Sequence, residues 1–249
     1  MTSVVNRIKE IDQPRGGYLN PKLFAVTQLN DGLNLHEESI HPGLMGSAVD
    51  YLTRFSNGTE VGDAFHVSIL GALIIGKLDA LQGLLNGING LDGNSIRNAC
   101  KVVGFDVCYR AGPMYYAPVE SIVADDSTVE NIKIMVDRSM TFINNYGPIT
   151  KDGFTFEGGY TKTVTHGDGD FLTRDTLWDF KVSKSEPKKE HTLQLLMYHL
   201  MGKHSKQPEF ESIKSIGIFN PRLNKAYQYE LSKIDPDIIK EIEKEVIGY

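Results

Sequence analysis

The sequence predicts an α/β chain of the α+β kind, with a mixed central sheet flanked by helices. Three observations lead there. Helical apolar spacing dominates the stretch from Pro42 to about Asn144. Runs rich in aromatic and β-branched residues, separated by tight-turn residues, follow from Phe154 to Val182. A helical segment from about Lys189 to Met201 then interrupts the strands, which resume at Ile213.

Residues 1–41 are mixed, with turn signals in QPRGGYLNP and LNDG. LFAVTQL reads as a short strand or a helical turn. Pro42 suits the first turn of a helix through GLMGSAVDYLTRF to about Phe55, ended by Ser56-Asn57-Gly58. The apolar segment from Asp63 to Leu85 has helical length and spacing, weakened by Gly71, Gly76 and Gly83. NGINGLDG is a loop, after which Asn94 or Ser95 caps a helix to about Val103. Thr128 to Asn144 is a stronger helix, because Asp125 and Asp126 complement its dipole. FTFEGGYTKTV, GDGDFL and TLWDFKV read as three strands. Ile213 to Phe219 and Ala226 to Leu231 read as two more, and Asp235-Pro236 opens a charged terminal helix.

Composition removes several function classes. The 249 residues hold 41% hydrophobic and 23% charged side chains, an ordinary globular mixture able to bury a core without staples. Lys and Arg number 26 against 32 Asp and Glu, a net charge of −6, so this is no uniformly basic nucleic-acid coater. Cys100 and Cys108 suit a reducing compartment and are too few for a four-cysteine cluster, so no iron–sulfur cluster is expected. The N-terminal residues lack the apolar core of a secretory signal. Val67 to Gly76 falls short of the roughly 20 residues a membrane span needs. The expectation is a cytoplasmic chain with no membrane partner.

One stretch carries chemistry. Asp179 and Lys181 lie two apart on one predicted strand, so their side chains share a face. Phe180 turns the other way, with its backbone carbonyl near the acidic pair. A hairpin to the preceding strand brings Asp170 toward Asp179. Two adjacent carboxylates in a partly buried site repel each other, and a divalent cation relieves that repulsion. Oxygen-only ligands favour Mg²⁺ or Mn²⁺. Lys181 is then placed to orient a water or to stabilise charge on a phosphate. The bland alternative is a solvated strand pair of little consequence. Leu177, Trp178, Phe180 and Val182 argue against it, since they mark a buried strand where an idle charge is costly.

Asp170 followed by Asp179-Phe180-Lys181 resembles the PD-(D/E)XK nuclease superfamily. Gln194 and Tyr198 are similar to the Q-x-x-x-Y element of its RecB-like branch, which includes recombination exonucleases and CRISPR-associated RecB-like exonucleases. The resemblance implies a restriction-endonuclease-like core and one nuclease-like domain over 1–249, with its core at about 43–56 and 154–232. Residues 57–150 match nothing in it and read as a helical insertion, a natural place for a protein partner. The resemblance further implies metal-dependent hydrolysis of phosphodiester bonds, DNA being the favoured substrate, in repair, recombination or phage–host conflict. It assigns catalysis to Asp170, Asp179, Lys181, Gln194 and Tyr198. The metal shell it implies is Asp170, Asp179, the Phe180 carbonyl and Asp50, which stands where the branch more often has histidine. A catalytically silent or partner-dependent nucleic-acid-binding subunit and an RNA nuclease remain the alternatives, and exo- or endonuclease action is open.

Other residues are weaker candidates. Gln194 and Tyr198 also suit a core amide and a core aromatic among Leu193, Leu195, Leu196 and Met197. Asp168 adds an acid beside Asp170. His66, His166, His191, His199 and His204 lack zinc-ligand spacing with cysteines and read as structural or surface groups. Six lysines against two glutamates in 181–206 suit phosphate contact or a solvated loop.

Overall fold

The computed structural model describes residues 2–249. In chain order its principal elements are α1 (Val4–Glu10), β1 (Ala25–Gln28), α2 (Pro42–Ser56), α3 (Val61–Ala64), α4 (His66–Ile74), α5 (Leu78–Leu85), α6 (Gly93–Val102), α7 (Asp106–Arg110) and α8 (Asp126–Tyr146). They continue with β2 (Lys151–Thr155), β3 (Asp168–Leu172), β4 (Thr176–Phe180), α9 (Lys189–His204), β5 (Ser215–Asn220), β6 (Lys225–Glu230) and α10 (Pro236–Glu241). No helix among the described residues is long and apolar enough to cross a membrane. The chain forms two compact units: Met1–Leu29 with Phe142–Tyr249, and Asn30–Thr141.

The first unit is built on a six-stranded mixed sheet in the order β1-β6-β5-β4-β3-β2. Only β4 and β5 pair in parallel, and α9 makes the crossover between them. The α+β expectation thus holds. Alternation sorts the side chains onto two faces. Leu172, Leu177, Ile216, Ile218 and Tyr227 join one core with α9 and α1. Phe171, Trp178, Phe219 and Ala226 join the other, where Phe142 from the last turns of α8 stacks on Phe219 at 4.0 Å and meets Trp178 edge-on at 4.8 Å. Helix α9 is apolar on nearly every side because it is enclosed, with the sheet on one side and α1 on another.

The second unit is helical. Its core includes Met45, Leu52, Phe65, Ile96, Phe105 and Ile132, all fully buried. Helices α2 and α6 start where a side chain supplies an acceptor. His41 accepts the Gly43 N–H ahead of Pro42, and Asp92 accepts the N–H groups of Asn94 and Ser95. The segment before α2 is pinned to α8: Asn131 exchanges two hydrogen bonds with the His36 backbone, and Arg138 grips Asp31 at 2.6 Å. That guanidinium holds the Asp31 carboxyl below its ordinary range. Asp106 is buried and accepts from Ser68 at 2.5 Å and from Tyr51 at 2.7 Å.

Several local expectations change. The apolar segment from Asp63 to Leu85 is not one helix but parts of α3, α4 and α5, with Gly76 in the left-handed region at φ 64° breaking the run. Gly71 sits where a Cβ would overlap the Phe105 carbonyl, so α4 packs on the segment entering α7 only through glycine. FTFEGGYTKTV is not a strand beyond Thr155, because Gly158 turns the chain at φ 87° and Gly159 lies directly against the Met201 carbonyl. The division between units also differs from a core of 43–56 with 154–232: α2 clusters with the helices of Asn30–Thr141, and the N-terminal 29 residues cluster with the sheet.

Candidate functional site

The candidate site lies where β3 and β4 part. Their antiparallel register pairs Leu172 with Leu177 and Phe171 with Trp178. Carried one step further, that register sets Asp170 opposite Asp179, on the α9 face of the sheet. The ladder ends there. The N–H of Phe180 donates to Asp170 Oδ2 at 2.6 Å, so a carboxylate takes the place a strand carbonyl would have had. On the other edge the Lys181 N–H donates to the Phe219 carbonyl at 2.9 Å and keeps β4 tied to β5. The Phe180 ring turns to the aromatic face, 5.9 Å from Phe219.

Asp179 is 2% exposed. Its Oδ1 accepts from Lys181 Nζ at 2.8 Å, while its Oδ2 is buried with no hydrogen-bond partner. A desolvated carboxylate oxygen without a partner costs more than the roughly 1–3 kcal/mol typical of a neutral group. An unpartnered, buried oxygen beside a second carboxylate on the same face fits a hard divalent cation, which supplies the missing charge. The donor set is oxygen only, which suits Mg²⁺ or Mn²⁺ over zinc. Among the described residues no three His, Cys, Asp or Glu side chains gather into a metal-ligating group, so the two carboxylates are what this chain brings together here.

Helix α9 lies over this acidic edge. Gln194 Nε2 donates to the Tyr198 hydroxyl at 2.7 Å, and both side chains are buried. The Tyr198 phenol is pushed well above its ordinary range, first by burial and then by the charges of Asp179, Asp170 and Asp168. Tyr198 packs on the sheet face of Leu172 and Leu177, the face that Asp170 and Asp179 share. The ring itself packs 5.0 Å from Phe156, so Tyr198 serves the core and the site at once. Five predicted residues, Asp170, Asp179, Lys181, Gln194 and Tyr198, therefore share one face of one unit.

Asp50 and Asp168 differ from them. Asp50 stands on α2 in the helical unit, where Arg54 Nε donates to its Oδ1 at 3.0 Å. Asp168 opens β3 in an exposed position paired with Thr155. His191, which the sequence reads as a structural or surface group, stands in the first turn of α9. Its Nδ1 accepts the Lys188 N–H at 3.2 Å, and burial lowers its pKa, with the charge of Lys181 acting the same way and Asp179 opposing. No protein-family model, curated protein or solved structure matches this chain.

Proposed function

We propose that this chain is a metal-dependent nuclease that hydrolyses phosphodiester bonds, with DNA as its favoured substrate. The observation that carries the reading is the Asp179 carboxylate, buried to 2% exposure with Oδ2 unpartnered, opposite Asp170 and bonded to Lys181. A surface ion pair has no reason to be built this way. Asp170 and Asp179 would hold the cation, with the Phe180 carbonyl and water filling its shell. Once bound, Mg²⁺ or Mn²⁺ supplies Lewis acidity at the phosphate.

The chain's own residues do the rest. The Phe180 N–H fixes the Asp170 carboxylate in place. Lys181 reaches from the buried Asp179 toward solvent, 28% exposed, where its ammonium orients the attacking water or meets charge building on the phosphate. Gln194 locks the Tyr198 hydroxyl, and the pair shapes the wall above the carboxylates. Charge distribution supports nucleic-acid contact at this unit. Residues 30–141 hold 14 Asp and Glu against 7 Lys and Arg, while the remainder holds 18 against 19. The net negative charge thus belongs to the helical unit, which is suited to a protein partner and not to a phosphate backbone. The resemblance of the Asp170, Asp179-Phe180-Lys181 and Gln194/Tyr198 set to RecB-like nucleases points to repair, recombination or phage–host conflict as the setting.

A second reading rests on Asp50. Its carboxylate is engaged by Arg54, which favours a site of two carboxylates only and hence a partner-dependent or silent nucleic-acid-binding subunit. One experiment separates the two. Purified protein is incubated with labelled linear duplex DNA, circular duplex DNA, single-stranded DNA and RNA, each with Mg²⁺, Mn²⁺ or chelator. The nuclease reading expects metal-dependent cleavage of DNA. Binding without cleavage under either metal supports the second reading, and cleavage of RNA alone reassigns the substrate.

A further inference from the structure

The loop before α9 and the loop after α1 meet in a basic patch. Leaving β4, the chain carries Lys181, Lys184, Lys188 and Lys189 into the first turn of α9. Three residues of chain keep the Lys184 backbone within about 11 Å of Lys181, and four keep Lys188 within about 14 Å of Lys184. Lys184 is exposed at the tip of a turn that the Ser185 N–H closes by donating to Ser183 Oγ at 3.1 Å. Asn220 Nδ2 moors that turn to the end of β5 by donating to the Ser183 carbonyl at 2.8 Å. The one acid of residues 181–189, Glu186, is drawn off to β6 by Lys225 at 2.6 Å and by the Tyr227 hydroxyl. Arg15 comes from the other side, exposed in a turn that the Gly17 N–H closes on the Pro14 carbonyl at 2.8 Å. Gly17 has φ 86°, and a Cβ there would stand 2.6 Å from Lys189 Cβ, so glycine lets this turn lie directly on the start of α9. The Thr192 hydroxyl fastens it by donating to the Leu19 carbonyl at 2.6 Å.

Lysines in a loop are ordinarily just solvated. Two features set these apart. Elsewhere in the sheet unit, Lys151, Lys203, Lys225, Lys233 and Lys240 each hold a carboxylate within 3.0 Å. Among the described residues Arg15, Lys184, Lys188 and Lys189 hold none. The backbone also gathers them: residues 12–22 and 181–190 together carry six cations against three acids, in a chain whose net charge is −6.

We propose that Arg15, Lys184, Lys188 and Lys189 form a track for the phosphates of the substrate strand, leading away from Lys181. The inference rests on the nuclease reading and deepens it, by saying which flank of the site carries the strand. A phosphate backbone fits for a physical reason. Each cation that meets a phosphate releases a counterion condensed on the nucleic acid, and an unpaired side chain does so without first giving up a carboxylate. Arg15 adds a forked donor for one phosphate, while the lysines act as point charges along the strand. Contacts of this kind read no base, so the track holds any sequence.

The test compares two fourfold variants with the same change in net charge. One carries Arg15→Gln, Lys184→Gln, Lys188→Gln and Lys189→Gln. The other replaces four ion-paired surface lysines, with Lys203→Gln, Lys233→Gln, Lys240→Gln and Lys244→Gln. Affinity for labelled duplex and single-stranded DNA is read by fluorescence anisotropy in Ca²⁺ across a salt series, and melting is followed on every variant. A plot of log affinity against log salt loses about 0.9 of slope per duplex phosphate contact removed and about 0.7 per single-strand contact. The track variant is therefore expected to be shallower by about 3 to 4, with affinity at least about 10-fold lower at 0.1 M salt. The paired-lysine variant keeps the wild-type slope to within about one. If the fourfold change lowers melting, Lys184→Gln alone, at its exposed turn tip, reads a slope change of about one. Wild-type slope and affinity in the track variant overturn the proposal, as does a wild-type chain that binds neither DNA. So does an equal loss in both fourfold variants, because that is net charge alone. Displacement of the DNA by polyglutamate as readily as by unlabelled DNA overturns it too, because the surface then takes any polyanion. A wild-type chain that binds DNA through the track yet cleaves nothing is a different result: it removes the nuclease reading and leaves the track standing.

Discussion

Lys181 Nζ lies 2.8 Å from Asp179 Oδ1, yet the lysine side chain is 28% exposed and the aspartate 2%. The pair is therefore lopsided: the cation keeps part of its hydration while the anion has given up its own. The second oxygen of Asp179 has no partner at all. An ion pair selected for stability would solvate both ends or satisfy both oxygens.

Asp179→Asn accordingly removes a desolvation cost along with the pair. Lys181 loses a partner but retains water. The expected outcome is unchanged or raised stability, by as much as about 1–2 kcal/mol, which corresponds to roughly 2–8 °C in a chain of this size. Thermal unfolding of wild type and variant without divalent metal checks it. A large fall in melting temperature would mean that the ion pair is structural.

Mn²⁺ should stabilise the wild-type chain. At a concentration 100 times its dissociation constant, a cation held only by the folded state adds about 2.7 kcal/mol. Asp170→Asn should abolish that gain, since it removes a ligand and leaves an amide facing the Phe180 N–H. Melting curves across a Mn²⁺ titration provide the comparison, with Asp50→Asn run alongside to ask whether the helical unit contributes a third carboxylate.

Gln194 and Tyr198 separate packing from chemistry. Tyr198→Phe leaves Gln194 Nε2 buried without its acceptor, which should cost about 1–3 kcal/mol. Gln194→Leu combined with Tyr198→Phe removes both ends and should regain most of that loss, a coupling that a double-mutant cycle measures directly. If the hydroxyl also shapes the site, cleavage stays impaired in the double variant after stability has returned.

His199 makes stability depend on pH. Burial lowers its pKa to about 4 from the usual 6.5, and its Nδ1 is sealed off without a partner. Between those values the unfolded chain binds a proton that the folded chain does not. Stability from this group is thus full above about pH 6.5 and is lost as pH falls toward 4, by up to about 3 kcal/mol. His199→Leu should flatten that part of the profile relative to wild type in urea unfolding between pH 4 and 7.

The parts of the fold legible in the sequence are those whose signal is local. Alternation through TLWDFK places Asp179 and Lys181 on one face, while the register that sets Asp170 opposite Asp179 comes from the pairing of Phe171 with Trp178. Helix α1 escaped notice because only Val4 and Ile8 of its seven residues are buried, too few to show a period. Strand β1 stayed ambiguous because all four of its residues are exposed and its one partner, β6, lies about 200 residues away. The membership of α2 in the helical unit depends on long-range packing that its own amphipathic pattern does not encode. His191 read as a structural or surface group because it lacks zinc-ligand spacing with cysteines, and its hydrogen bond to the Lys188 N–H is a contact local to the start of α9.

On the proposed function, the Asp170–Asp179–Lys181 face cuts phosphodiesters with a divalent cation. The most direct measurement is single-turnover cleavage of labelled linear duplex DNA in Mg²⁺ or Mn²⁺ by wild type and by Lys181→Ala, each verified as folded by its melting curve. The expected result is cleavage by wild type that chelator abolishes, and a loss of at least about 100-fold in the variant. Cleavage by Lys181→Ala at the wild-type rate, or none by wild type under either metal, would contradict it.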